Sequence, residues 1–585
     1  MVRLSVGVED RRARRAWRRG LIRAGALVLA ATMLAACGAT RTKQARVAPA
    51  PSRATTTTTP GASGGPAVTG ATITLGEPGD PTNWNPLAAG AAGEPVVTTV
   101  ASAVLPSAYV VGPDLSVSPN PELISSAEEV SSDPQVVDYT IDPRATWSDG
   151  VAVSEADFAY TWQADSGEVR FRGPHGAAYT PASSAGYDRI ASVTEGTAGP
   201  RSVVVTFSSP DPDWKALFSP LLPAQVGRRV GFDHGFTDPV SDLPSAGPFV
   251  VQSFTPGVGV VLVRNPAWWG PAAGLSRVVV DEVPDAAVGG ASVEAGQLDA
   301  AELPFSPGAE RALRATPGLV VRTGGTGVYD DLVANARSGP FTSGVLRRAV
   351  MLAVDRSALA QLAGTEGDVG AAPVDNRAFL PGQSGYLDQR PDLGRGGLAA
   401  GSALLTAAGY RRVGSALEAP GGEAIRVHLV VEVTGGLTGL EVTAVVSACR
   451  ALGLSVSTSL AAAGSAQAAP GANGWDLALV ARRASPFPSY FAAAYTPSSP
   501  ADLSGFSSPA LLAAIRSVDR LPDGAARSAA LERLDAIAWS EAIDLPLLYE
   551  PQLLVVQSRY AGFGASAAPS GPAWDIGSWE IPAGS

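Results

Sequence analysis

Residues able to do covalent chemistry are few, and their spacing does not assemble a site. The three histidines, His175, His234 and His428, are far apart and lack metal-ligand spacing. His175 and His234 lie in Gly/Pro-rich stretches and His428 in an apolar run, so structural roles are expected. The one G-x-S-x-G match, Gly61 to Gly65, sits in low-complexity sequence that cannot supply the strand–turn–helix exposing a nucleophile. No phosphate-cradling glycine loop, dinucleotide fingerprint or paired-cysteine zinc site occurs. The acids Asp330 and Asp331 are adjacent, but nothing in their spacing assigns them acid–base work. Arg482 and Arg483 are more informative: two neighbouring guanidinium groups suit a phosphate or a carboxylate, unless they are solvated loop charges. Just beyond them Phe487, Tyr490, Phe491 and Tyr495 offer aromatic surface for a sugar or an acyl chain, or simply for a core. A chain of this length without a catalytic constellation is read as a binder, with no enzyme activity, cofactor or metal expected.

Cys37 has a different chemistry. It follows eight arginines in the first 23 residues and a thirteen-residue apolar run, Ala24 to Ala36. As helix that run spans roughly 20 Å, short of a bilayer core of about 30 Å. Charged start, short apolar core and small residues before the cut describe a removable export signal over residues 1–36. Leu34-Ala35-Ala36-Cys37-Gly38 resembles the bacterial lipobox, whose thiol is diacylated and becomes the new N-terminus. Two acyl chains hold a domain on a membrane surface, so the expected location is the outer face of the cell membrane.

Loss of eight arginines and two acids with that leader would move the formal net charge from −11 to about −17. An acidic surface argues against nucleic acid and against a polybasic grip on lipid. Cys449, the other cysteine, is expected on the core face of a helix. The roughly 515 residues after a Thr/Pro/Gly-rich tether over 37–70 exceed one usual core, so several lobes are expected.

These candidates must be positioned by alternating strands and helices. Strands are expected at 71–75, 203–207, 258–263, 278–283 and 427–433. Helices are expected at 154–163, 345–360, 399–408, 441–452 and 526–540. Ser154 with Asp157 suggests a capping box, Gly409 a C′ position, and Pro546 a stop before Leu547. Leu346, Val350 and Val354 share one helical face, with Arg347 and Arg348 pointing elsewhere. The mixture, without repeats, fits an α/β class.

Several segments, in order, resemble the family 5 extracellular solute-binding proteins, the oligopeptide, dipeptide and nickel receptors of ABC importers. They are Ala145 to Gly150 with Ser154 to Gln163, Ser245 to Phe249, Val263 to Gly270, Glu294 to Asp299, Asn335 with Pro340 to Arg356, Leu405 to Tyr410, Trp475 to Leu479, and Asp544 to Tyr549. The tryptophans among them, Trp147, Trp162, Trp268 and Trp269, are expected to pack rather than to stack on ligand. The resemblance implies a two-lobed periplasmic-binding-protein-like fold of the large class, hinged around a central cleft with an extra inserted domain. The implied division is 71–110 first lobe, 111–225 inserted domain, 226–325 first lobe, 326–545 second lobe and 546–585 first lobe. Crossings between lobes are expected near Thr323 to Asn335 and Asp544 to Leu548.

What the resemblance implies for function is a monomeric receptor that closes on a small ligand (peptide-like, glycoside or glycolipid) and hands it to an ABC permease. Pocket residues implied by family placement are Asn83, Trp84, Asn85, Tyr329 and Asn335. Peptide-binding members carry an Asp that pairs with the ligand's α-amino group; Ser485 stands at that position, and Arg482 where they have a tryptophan. An unpaired buried ammonium is costly, so an ordinary free peptide is not the expected ligand. The ligand set is therefore Arg482, Arg483, Ser485, Phe487 and Tyr490 with the five residues above. Gly186 to Val193 and the tail from Gly571 to Trp579 resemble a high-GC Gram-positive branch, one member of which is associated with mannosylated phosphatidylinositol lipids. That leaves an alternative, a non-transport envelope lipoprotein acting as scaffold or regulator of glycolipid assembly.

Overall fold

The structure, a computed structural model, describes residues 70–581 apart from short internal stretches, the longest being 462–473. The expected leader, Cys37, the tether and its G-x-S-x-G match, His234 and the Tyr490 side chain lie outside the described residues.

The first strand, Thr72–Glu77, alternates as its sequence predicts, with Ile73 and Leu75 buried. It pairs in parallel with Arg277–Glu282 on one side and Ala300–Leu303 on the other. Far along the chain the same arrangement recurs: Arg426–Val431 lies between parallel Ser455–Leu460 and Leu477–Arg483. Each centre is a place where strand order reverses, and crevices form beyond the C-terminal strand ends at such points.

Two long antiparallel strands, Leu319–Ala334 and Asp544–Gln557, join the two halves. The hydrogen-bonded order is Ser455–Leu460, Arg426–Val431, Leu477–Arg483, Leu319–Ala334, Asp544–Gln557, Ala300–Leu303, Thr72–Glu77, Arg277–Glu282, Gly259–Arg264 and Phe249–Thr255. Its regular pairing fails midway. Register shifts fall between Gly325 and Tyr329 and between Tyr329 and Asp331, opposite Pro551, Tyr549 and Pro546. Pro546 thus lies within a strand rather than stopping one; it has no N–H to give and sits where the ladder is irregular.

One hydrophobic core gathers Ile73, Trp84, Trp147 and Phe249, and another gathers Leu332, Leu346, Leu479 and Trp539. A smaller one, with Tyr495, Leu511 and Leu531, lies under the helices Pro509–Arg520 and Ala525–Glu541. Residues 124–207 carry a separate four-stranded antiparallel sheet covered by the helix Glu155–Asp165. Asp157 fixes that helix start, accepting the Ser154 N–H at 2.9 Å and the Ala224 N–H at 2.8 Å.

The helix expected over 345–360 is two, Gly344–Ala353 and Arg356–Gly367. Amides of Gly394, Gly396 and Gly397 take the carbonyls of Met351, Val354 and Leu352, while Asp355 Oδ1 accepts the Ala358 N–H at 2.8 Å. The first helix is thereby ended and the second capped. Arg347, expected to point away from the apolar face, is buried and donates to the Phe341 carbonyl at 2.8 Å.

Candidate functional site

A recess of about 170 Å³ opens beside the break in the crossing strands, where Leu477–Arg483 ends. Its walls include Tyr329, Arg377, Arg482, Arg483, Ser485 and Tyr495. Arg482 lies opposite Tyr329 in the strand ladder, which brings both to the same place. The Arg482 Nε–H donates to Asp331 Oδ2 at 2.6 Å, and its two terminal nitrogens have no hydrogen-bond partner among the described residues. Ser485 accepts the Phe487 N–H at 3.1 Å on its hydroxyl oxygen, which holds the loop over the recess. Arg483 is exposed beside them.

Behind the recess lies a buried charged network. Arg377 reaches Asp535 Oδ1 at 2.8 Å and Asp544 Oδ1 at 2.6 Å, and its guanidinium lies over the Trp539 ring at 3.8 Å. The Tyr495 hydroxyl donates to Asp544 Oδ2 at 2.6 Å. Burial pushes Asp331 up to about 7, helped by Asp544 and opposed by Arg482 and Arg377. Asp535 is raised to about 6, again by burial, against the pull of Arg377. Burial works against the Arg482 charge, but Asp331, Tyr495, Tyr329 and Asp544 outweigh it and hold the guanidinium above its ordinary value. Each arginine of the network therefore stays charged, and each carboxylate has a bonded partner.

Other acids accumulate near the crossing. Glu77, buried at the end of the first strand, is raised to about 8 by burial and by Glu302. Asp330 and Glu441 are both raised by burial, and Asp330 and Glu550 push Glu441 further up. Glu550 is raised to about 7 by burial and Asp330. Among the described residues no group of three or more His, Cys, Asp or Glu side chains has the arrangement to hold a metal.

The expected site residues separate into two sets. Tyr329, Arg482, Arg483 and Ser485 share the recess, with Phe487 half-buried in the adjoining loop. Asn83, Trp84 and Asn85 do not line it. Asn83 Nδ2 donates to the Asp233 carbonyl at 2.5 Å and Asn85 Nδ2 to that of Phe232 at 3.0 Å, while Trp84 packs edge-on against Phe254. Asn335 is buried too, its amide donating to the Trp475 carbonyl at 3.0 Å. These four residues tie loops to their neighbours. Sequence reasoning missed Arg377, Asp331 and Asp535 as site residues. Asp544 stands in the sequence only within the motif Asp544 to Tyr549.

Comparison with known proteins bears on this arrangement. The profile of the bacterial extracellular solute-binding proteins, family 5 middle region, matches residues 118–502. The chain belongs to that family. The oligopeptide-binding protein OppA of Mycobacterium tuberculosis is 30% identical over 479 residues, covering 80% of this chain and 78% of OppA. LpqW of the same species, described as a "probable monoacyl phosphatidylinositol tetramannoside-binding protein", is 29% identical over 338 residues, covering 54% and 49%. Among solved structures the periplasmic EDTA-binding protein EppA superposes with a TM-score of 0.80 at 25% identity, covering 88% of this chain and 98% of EppA. The two-lobed binding-protein fold is thus the fold of this chain. Family 5 proteins are extracytoplasmic partners of ABC permeases that bind peptides or small ligands.

Proposed function

We propose that this family 5 protein is a lipid-anchored, monomeric receptor that captures a small carboxylate- or phosphate-bearing solute by closing its lobes, and does not capture an ordinary free peptide. The observation that carries the reading is Arg482, which lines the recess: its Nε is held by a buried carboxylate, and its two terminal nitrogens have no hydrogen-bond partner among the described residues. A guanidinium fixed in this way presents the planar fork that carboxylates and phosphates match. Ser485 puts no anion where a peptide ammonium would need one, and Asp331, Asp535 and Asp544 are already bonded to Arg482, Arg377 and Tyr495. EppA is named for EDTA, a polycarboxylate, which favours the same chemistry. Lobe closure about the two crossing strands would bring the first lobe over this recess. Only a solute with higher affinity for the closed form can shift that equilibrium.

Thermal unfolding of the purified chain from Gly38 onward tests this with di- and tricarboxylates, sugar phosphates and tri- to pentapeptides. At a hundredfold excess over Kd a true ligand adds about 2.7 kcal/mol. Saturable stabilisation by an acid or phosphate is expected, and stabilisation by peptides alone would overturn the reading. Anchoring is tested separately: Cys37→Ala should release the protein from the membrane fraction and abolish palmitate labelling. The likeness to LpqW favours a second reading, an envelope lipoprotein serving glycolipid assembly without transport. Binding to vesicles containing phosphatidylinositol mannosides, with no response to any soluble probe, would select it.

A further inference from the structure

Far along the chain from the recess, two ion pairs connect the four-stranded sheet's surroundings to the tip of a helical hairpin. The hairpin is Pro509–Arg520 followed by Ala525–Glu541, and it lies between the two crossing strands in sequence, hence on the second lobe. Arg527, in its second helix, donates through both terminal nitrogens to both oxygens of Asp213, at 2.5 and 2.8 Å. The Arg527 Nε–H is directed at the Val518 carbonyl at 3.3 Å, which ties the guanidinium to the first helix of the hairpin. Asp213 precedes Trp214, a member of the first core, and its N–H donates to Asp211 Oδ1 at 3.1 Å. Arg189 reaches Asp519 at 3.6 Å with the charges the other way round, acid on the hairpin and base beside the four-stranded sheet.

We infer that Asp213 and Arg527 form a clasp between the lobes, positioning residues that hold the receptor closed at the rim of its cleft. Their side chains are 8% and 1% exposed. A bidentate pair this well buried is worth little against an apolar substitute, but removing one partner strands the other charge without water. That penalty applies only where the surfaces meet. In an open molecule both groups return to solvent, and the same substitution costs almost nothing. The pair therefore acts on the difference between closed and open forms, which is what sets ligand affinity when only the closed form binds. Its position fits the role. Asp535, which pairs with Arg377 behind the recess, lies eight residues along the same helix, about 12 Å away. The Arg189–Asp519 pair is half-open to water and makes a small contribution.

The clasp rests on the lobed architecture and not on any particular solute, so a ligand-free measurement tests it while leaving the receptor reading untouched. Small-angle X-ray scattering should find the ligand-free wild type populating the closed form in part, with a smaller radius of gyration than either single variant. Arg527→Ala and the isosteric Asp213→Asn should raise the radius of gyration with unchanged far-ultraviolet circular dichroism. The charge exchange Asp213→Arg with Arg527→Asp should return it toward the wild-type value, which a purely structural role would not produce. A wild type already open in solution would overturn the inference. So would folded single variants that scatter like the wild type. Should Arg527→Ala fail to fold, Asp213→Asn alone decides.

Discussion

At Arg482 one guanidinium is bonded to Asp331 and also faces the recess, so truncating it removes an anion contact and strands a buried carboxylate. Two effects follow, and pH separates them. Arg482→Ala should weaken an anionic ligand by about 1–3 kcal/mol, the range for a charge-assisted bond, measured by calorimetric titration. It should also destabilise the free protein by up to about 3 kcal/mol at pH 8 and by much less at pH 6. Asp331 sits near 7 even with its partner present, so at pH 6 the stranded group takes a proton and ceases to be a buried charge. Arg483→Ala, at a more exposed position, should cost less stability than Arg482→Ala; an equal loss would show that it, too, is a structural cation. The adjacency of these arginines was legible in the sequence. Which of them is held was not, because the partner that holds Arg482 lies 151 residues away. Asn83, Asn85 and Asn335 show the converse: polar residues at family pocket positions whose amides are bonded to loop carbonyls that the sequence does not bring near them.

Elements with strong local signals were readable, and those decided by distant contacts were not. The helix at Glu155–Asp165 announces itself through Ser154 and Asp157, and Leu398–Ala407 ends before Gly409, whose φ is +86°. The break at Val354 escaped because it depends on a glycine-rich loop forty residues on, and Pro546 misled because a proline is harmless at an irregular ladder. The family motifs have a structural logic of this kind. In Ser245 to Phe249 the Ser245 hydroxyl donates to the Phe249 carbonyl at 2.5 Å, and Asn265 Nδ2 donates to the Gly247 carbonyl at 2.9 Å. A Cβ on Gly247 would stand 2.4 Å from the Ala103 carbonyl oxygen, so Gly247→Ala must push two backbones apart. A loss of about 1–3 kcal/mol is expected in urea unfolding, with ligand affinity little changed. Gly327 lies in the long strand Leu319–Ala334. Its φ is +69° within the interval where the crossing-strand pairing lapses, and its carbonyl accepts the Ala484 N–H at 2.6 Å. Gly327→Val imposes a side chain where φ is unfavourable and should cost about 1–2 kcal/mol. Here affinity should fall as well if, as proposed, the lobes turn at this break in the pairing. Affinity preserved in a destabilised Gly327→Val would assign the bend to other residues.

Among the described residues, buried carboxyls outnumber the buried arginines, and this fixes how stability responds to pH. Glu77 is raised to about 8, Asp331 and Glu550 to about 7, and Asp157, Asp211 and Asp535 to about 6, in each case chiefly by burial. In the unfolded chain all of them lose their protons near pH 4. Between that value and its own folded pKa each group binds more proton in the folded protein, so stability falls as pH rises through the window. The first three cross their folded values between pH 6 and 8, and Asp330 and Glu441, both raised by burial, act in the same direction. Acids held low by a partner, such as Asp142 beside Arg144, act oppositely, and their contribution is lost in strong acid. The midpoint of thermal unfolding should therefore peak under mildly acid conditions and drop by several degrees from pH 6 to pH 8. Glu77→Gln, which keeps the shape and the Thr99 contact without the ionisation, should flatten the upper part of that slope. A midpoint that climbs from pH 6 to 8 would mean that these carboxyls are hydrated in the free protein, as they would be if the lobes stood open. The same titration, repeated on Arg527→Ala, therefore reports closure: a variant whose lobes have parted should lose the part of the slope that belongs to the crossing between them.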